Sequence, residues 1–235
     1  MAADKSSLFG RSLSRPTKAM RVLRNEGLVA LASRCAGVVR PHVYLNESHI
    51  WYSLDLTSLP ELPPFPAGLE LVRGTEERLV ILDQLDTINS SSGRARLSQG
   101  AIWWCVLEGA QLLFSCWVFS TMAPVAAAPS GWLLLPTGSV VLEDSVAAPA
   151  ARGRGIAPVA WRHVAASATG SAAVMYTKVA VTNEPSRKAV MKAGFREIAE
   201  QRYVRIGPVR RRWLRRASDD AAWLAKGLRG RASGR

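Results

Sequence analysis

The stretch from Ser139 to Trp161, SVVLEDSVAAPAARGRGIAPVAW, constrains this chain more than any other. It reads as a strand, a short Pro/Ala connection, a glycine-rich turn and the start of a helix. Gly153 and Gly155 lie just before the helix, where a missing Cβ lets the backbone approach a ligand closely. The first N–H groups of a helix have no acceptor inside it, and the helix dipole favours an anion at that end. Arg152 and Arg154 add planar cationic donors suited to phosphate oxygens. Arg152, Gly153, Arg154, Gly155, Ile156 and Ala157 therefore have the chemistry of a phosphate cradle. A plain strand-to-helix turn could be built from the same residues, so this motif needs support from elsewhere in the chain.

That support comes downstream. Val174 to Val181, VMYTKVAV, reads as a second strand, apolar on both faces as a central strand would be. It is followed by Thr182, Asn183 and a helix from Glu184 to Lys192, with Gly194 suited to its C-cap. Arg152-x-x-Gly155-x-Ala157 opening a helix, then Asn183-x-x-Ser186 and Lys192-x-Gly194-Phe195, resembles the GCN5-related N-acetyltransferase family over about Gly68 to Ile206. The resemblance implies an α/β domain with a mixed, mostly antiparallel sheet splayed at its centre and helices on both faces. It implies acetyl-CoA as acyl donor and no metal. The pantetheine arm would pair with the strand end at Val146, Ala147 and Ala148, the diphosphate would lie on residues 152–157, and Asn183 would contact the donor from the next strand. Many members of the family carry a tyrosine seven residues after the asparagine as proton donor to the leaving thiolate. Here that position is Val190.

Acyl transfer to an amine also needs a base for the ammonium proton. Glu143 and Asp144 are the two carboxylates on the strand before the cradle. Strand alternation places them on opposite faces, so at most one should enter a cleft, and Glu143 is the favoured candidate. Solvated or ion-paired carboxylates would look the same in sequence. Tyr176 and Tyr203 are substitutes for the missing acid, although Tyr176 lies toward the wrong end of its strand.

The chain of 235 residues has a formal net charge of +13. Residues 1–48 carry eight Lys/Arg against three Asp/Glu, and residues 207–235 carry nine against two, so the middle is nearly neutral. This predicts three regions. Residues 1–67 form a basic extension with a helix over Thr17–Ala36, a strand over His49–Leu56 and a proline-rich linker over Leu59–Gly68. Residues 68–206 form the acetyltransferase-like domain, and residues 207–235 an Arg/Trp-rich basic tail. The tail reads either as a short helix carrying Trp213, Leu214, Trp223, Leu224 and Leu228 or as a partly disordered segment. Basic flanks of this kind suit an acidic acceptor, an anionic membrane surface met by residues 17–36 and 208–235, or, less well, nucleic acid.

Within the middle region, Leu69–Arg73 reads as a short strand and Thr75–Leu85 as helical. Asn89–Gly93 reads as a turn and Arg94–Gln99 as a short helix. Residues 101–120 form a hairpin about Glu108-Gly109-Ala110, with Trp103, Trp104 and Trp117 filling sheet faces. Trp132–Leu135 is an apolar insert that fits either a strand edge or a loop wall. Phe195–Glu200 and Arg202–Ile206 read as a final antiparallel pair. Cys35, Cys105 and Cys116 show no metal spacing, and an odd count without a signal-like segment predicts reduced thiols in the cytoplasm. His42, His49 and His163 suggest no zinc site. The reading is an N-acetyltransferase acting on an unidentified primary amine, cytoplasmic or peripheral at a membrane. A silent CoA-binding module and a nucleic-acid-associated protein acting through its tail are the alternatives.

Overall fold

The computed structural model describes residues 44–85 and 87–229. The helix expected over Thr17–Ala36, with Cys35 and His42, lies outside the described residues. The chain divides into two compact units, one of residues 1–46 and 204–210 and one of residues 47–203 and 211–235. Of the first unit the described residues are Tyr44–Asn46 and Val204–Arg210, all extended but for the turn at Gly207-Pro208. The buried apolar core of the described residues belongs to the larger unit.

The strands are β1 (Tyr44–Asp55), β2 (Glu70–Arg73), β3 (Ile102–Glu108), β4 (Gln111–Phe119), β5 (Met122–Pro124), β6 (Trp132–Leu134), β7 (Ser139–Ala147), β8 (Val174–Ala180), β9 (Arg196–Ile206) and β10 (Val209–Arg216). The α-helices are α1 (Ser90–Ser98), α2 (Ile156–Ala168), α3 (Glu184–Lys192) and α4 (Ala222–Arg229), and Glu76–Gln84 forms a 3-10 helix. The main sheet runs in the order β10-β9-β1-β8-β7-β4-β3-β2, and β5 pairs with β6 as a separate ribbon. Antiparallel pairing joins β1 to β8, β7 to β4, β4 to β3 and β3 to β2, whereas β7 and β8 run parallel. The mixed, mostly antiparallel α/β sheet expected from the sequence is what the chain forms.

Local chemistry accounts for most of these elements. The hairpin of β3 and β4 brings Trp103 opposite Trp117, and their rings stack 5.8 Å apart, both fully buried. The Trp103 indole donates to Ser115 Oγ at 2.9 Å, so this polar edge is satisfied inside the core. Gly74 lies against Trp103 so closely that a Cβ there would come within 1.9 Å of the ring. The proline-rich linker runs beside α2. Arg162 donates to the Glu61 carbonyl at 2.5 Å, and His163 Nε2 meets the Pro63 carbonyl at 2.9 Å.

Several expectations need correction. The turn and helix read separately over 89–99 are one helix, α1, because Asn89 caps it. Asn89 Oδ1 accepts from Ser92 N at 2.9 Å, and Ser92 Oγ accepts from Asn89 N at 3.2 Å. The pair expected within 195–206 is a single strand, β9. Gln201, which lies between the two segments, is buried and accepts from the Trp51 indole at 2.9 Å, while the chain reverses at Gly207, where φ is 55°. The insert at Trp132 becomes a strand of the β5–β6 ribbon. The segment after Pro208 is neither one helix nor a loose tail. It forms β10, carrying Trp213 and Leu214, and then α4, with Leu224 and Leu228 buried. No helix among the described residues is long and apolar enough to cross a membrane.

Candidate functional site

The parallel pairing of β7 with β8 runs from Ser139 opposite Val174 to Leu142 opposite Thr177 and then stops. Beyond that point β7 continues to Ala147 and β8 to Ala180 without pairing, while β7 keeps its pairing with β4 as far as Phe114 opposite Ala147. A β-bulge on β7 marks the divergence. Trp117 pairs with Glu143 and Ser115 with Val146, so Asp144 and Ser145 together face the single residue Cys116. Asp144 takes the extra residue's strain, with φ of 49°, a conformation that aspartate tolerates better than most side chains. Arg96 of α1 clamps it from outside. Its Nη2 and Nε lie 2.6 and 3.0 Å from Asp144 Oδ2, and its guanidinium lies over the Trp117 ring.

The gap is a cleft of about 240 Å³ bordered by Glu143, Asp144, Ser145, Trp161, Lys178, Asn183, Ser186 and Val190, with His49 entering from β1. Both carboxylates border it. The alternation expected to exclude one of them fails because the bulge rotates the strand between them. Their environments differ. Asp144 is exposed and held by Arg96, whereas Glu143 is 6% exposed. Glu143 Oε2 lies 2.5 Å from Lys178 Nζ, and its Oε1 is buried with no partner. Burial pushes the Glu143 carboxyl from its ordinary 4.5 up to about 7, and Lys178 works against that rise. Beside them, burial and then the Lys178 charge push His49 down to about 4, and its Nδ1 is buried without a partner.

The glycine turn sits at the end of this strand. Gly153 and Gly155 adopt φ of 78° and 73°, the left-handed conformation that glycine enters freely. The amides of Arg152 and Arg154 are bonded back to Pro149 and Ala151 at 3.3 and 3.4 Å. Those of Gly153 and Gly155, and of Ile156 and Ala157 in the first turn of α2, have no backbone acceptor. These four donors, at the positive end of a thirteen-residue helix, fit a diphosphate. Arg152 is exposed beside them. Arg154 turns instead to Glu108 on β3, with contacts of 2.9 and 3.2 Å, and this hydrogen bond holds the Glu108 carboxyl below its usual range. Val146 and Ala147 pair with β4 on one edge and have no strand partner on the other, and Ala148 N is bonded to Leu113 O at 2.9 Å.

Asn183 borders the cleft as the N-cap of α3, where its Oδ1 accepts from Ser186 N at 3.2 Å. Val190, at the position where the resemblance expects a tyrosine, is buried and faces the cleft with no hydroxyl to offer. Neither substitute borders the cleft. Tyr176 pairs with Val141 in the closed part of the strands and packs on Trp223 at 4.8 Å, and Tyr203 is buried under Arg212. Sequence reasoning missed Lys178, His49 and the Trp161 indole, which donates to Ser145 Oγ at 3.0 Å across the mouth of the cleft. One signal was available for Lys178, a single cation inside the apolar run VMYTKVAV. His49 had none, because it lies outside the region of resemblance.

No family model and no curated protein matches the chain. Solved structures do. A Drosophila protein superposes with a TM-score of 0.52 at 14% identity, covering 79% of this chain and 58% of its own. A GNAT-family acetyltransferase from Colwellia psychrerythraea gives 0.50 at 16% identity, covering 68% of this chain and 55% of its own. A tandem GNAT protein from the clavulanic acid biosynthesis pathway gives 0.50 at 16% identity, covering 83% and 71%. The chain thus spans little more than half the length of the first two. At these identities the likeness speaks for architecture, and with the splayed β7–β8 pair and the glycine turn it gives one assignment: the chain has the fold of the GCN5-related N-acetyltransferases.

Proposed function

We propose that the chain transfers an acetyl or other small acyl group from a CoA thioester to a primary amine. The observation that carries this reading is the open end of the β7–β8 pair lying next to four unpaired amides at the start of α2. Gly153, Gly155, Ile156 and Ala157, with Arg152, would hold the diphosphate. The unpaired edge of β7 at Val146 and Ala147 would receive the pantetheine amides. The bound donor supplies an acyl group activated as a thioester. Glu143 takes the proton from the incoming ammonium, a task suited to a carboxyl whose burial brings it near neutrality. Asp144 is held away from that task by Arg96 and serves to fix the bulge. With Val190 in the place of a hydroxyl, the leaving thiolate takes its proton from water, and positioning supplies much of the rate.

The exposed arginines Arg211 and Arg216 on β10 support an acidic acceptor or an anionic surface close by, reached from the cytoplasmic side. A second reading is a CoA-binding module without turnover. It is favoured by one observation, that Glu143 is already paired with Lys178. Two measurements separate them. Free thiol release from acetyl-CoA across a panel of amines should exceed the amine-free rate. Glu143→Gln should cut that release by roughly a hundredfold while leaving the CoA Kd nearly unchanged. Tight CoA binding with no amine-dependent thiol release would select the silent module.

A further inference from the structure

Lys178 is the first residue of β8 past the last parallel pair, so the splay begins at its side chain. Its side chain is 13% exposed, and its Nζ lies 2.5 Å from Glu143 Oε2 and 3.4 Å from the Pro124 carbonyl. Trp51, directly opposite on β1, presents its ring 5.8 Å from the ammonium. The candidate base therefore already holds a primary amine, at hydrogen-bond distance and inside the cleft, and that amine belongs to the chain. The other charged groups do not compete for the same carboxylate oxygen. Asp144 is taken up by Arg96, and His49 offers a buried, unpartnered Nδ1. The remaining described lysines, Lys188, Lys192 and Lys226, are less enclosed, and none borders the cleft.

We propose that Lys178 is an internal acyl acceptor, so that the chain acylates its own cleft. The proposal rests on the use of a CoA thioester by this cleft. Glu143 removes a proton from the Lys178 ammonium, and the freed lone pair on Nζ forms a C–N bond to the thioester carbonyl carbon. The C–S bond breaks, the acylated nitrogen gives up its second proton to water, and CoA leaves as a thiolate that takes up a proton from water. The products are Nε-acyl-Lys178 and free CoA. An amide is not a donor for further transfer, so the event occurs once per chain. It also removes the positive charge facing Glu143 and fills the cleft that an outside amine must enter. Self-acylation then acts as a brake on transfer to other acceptors.

The full chain is incubated with acetyl-CoA and mapped by peptide mass spectrometry. CoA binding is measured separately by calorimetry with free CoA. One acetyl group is expected on Lys178, appearing well before any on Lys188, Lys192 or Lys226. Labelling afterwards with isotopically heavy acetic anhydride in denaturant should mark those other lysines and fail to mark Lys178. Glu143→Gln should slow the modification by roughly a hundredfold. Lys178→Arg, which keeps a cation against Glu143, should fold as the parent does by circular dichroism, bind CoA and gain no acetyl group in the cleft. CoA binding with Lys178 left unmodified overturns the proposal and leaves the CoA reading standing, with the ion pair only a strut. Acetylation of Lys178 no faster than that of the other lysines, and indifferent to Glu143→Gln, overturns it as plain chemical acetylation. Absence of CoA binding overturns both.

Discussion

Glu143 and His49 both border the cleft and are pushed in opposite directions by the same cause, loss of water. The consequence for stability can be worked out for each. The unfolded chain releases the Glu143 proton near 4.5, whereas the folded chain keeps it up to about 7. Between those values the folded state binds more protons, so this residue makes stability fall as pH rises. The unfolded chain protonates His49 near 6.5, whereas the folded chain resists down to about 4, so this residue makes stability fall as pH drops. In the parent the two slopes oppose each other over their shared range. Relative to the parent, Glu143→Gln should gain Tm as pH is raised from 4.5 to 7, and His49→Gln should gain Tm as pH is lowered from 6.5 to 4. Thermal melts across this range check both signs. Parallel pH profiles for parent and variants would mean that neither group titrates in the cleft.

Among the elements, the turn between β7 and α2 carries the proposed donor site. Its glycines are needed for two separate reasons, backbone conformation and bare amides. Space alone does not demand them, since a Cβ on Gly155 would meet nothing within 4 Å. The two reasons can be separated by mutation. Gly155→Asn accepts the left-handed conformation at a cost of about 1 kcal/mol and adds no charge, so CoA binding should persist. Gly155→Glu places a carboxylate beside the amides and should abolish binding measured by calorimetry. Equal losses in both variants would point to the backbone conformation instead of the charge. Arg154 enters this balance indirectly, because its guanidinium is engaged by Glu108.

For the molecule as a whole, the basic C-terminal segment is structural. The Trp223 ring meets Trp51 edge-on at 5.9 Å and packs on Tyr176. Leu224 is fully buried, and Gly227 lies so near Leu133 of β6 that a Cβ would come within 2.5 Å of it. Leu224→Ala should therefore cost about 2–5 kcal/mol in denaturant melts, the range for a core leucine. A surface tail would lose almost nothing. The charge on this segment is better tested by substitution than by deletion, which would remove a strand and a helix of the fold. Arg211→Glu combined with Arg216→Glu should weaken binding to vesicles containing anionic lipid, and added salt should weaken the parent's binding likewise. Salt-independent binding would remove the electrostatic role.

The sequence by itself determined the parts whose signals are local. The start of the helix Ile156–Ala168 and the whole of Glu184–Lys192 were legible, because glycines open one and Asn183 caps the other. The β3–β4 hairpin, the strand Val174–Ala180 and the glycine turn before α2 were legible for the same reason: period, turn chemistry and caps act within a few residues. Only the tertiary structure decided who meets whom across the sheet. It inserted β1 between β8 and β9, which carried His49 and Trp51 to the site from outside the recognised region. It set Lys178 against Glu143, thirty-five positions away, and it bulged β7 so that two adjacent carboxylates border one cleft. Those outcomes depend on strand register and on a mismatch of one residue between paired strands. Neither leaves a trace in the periodicity of a single segment.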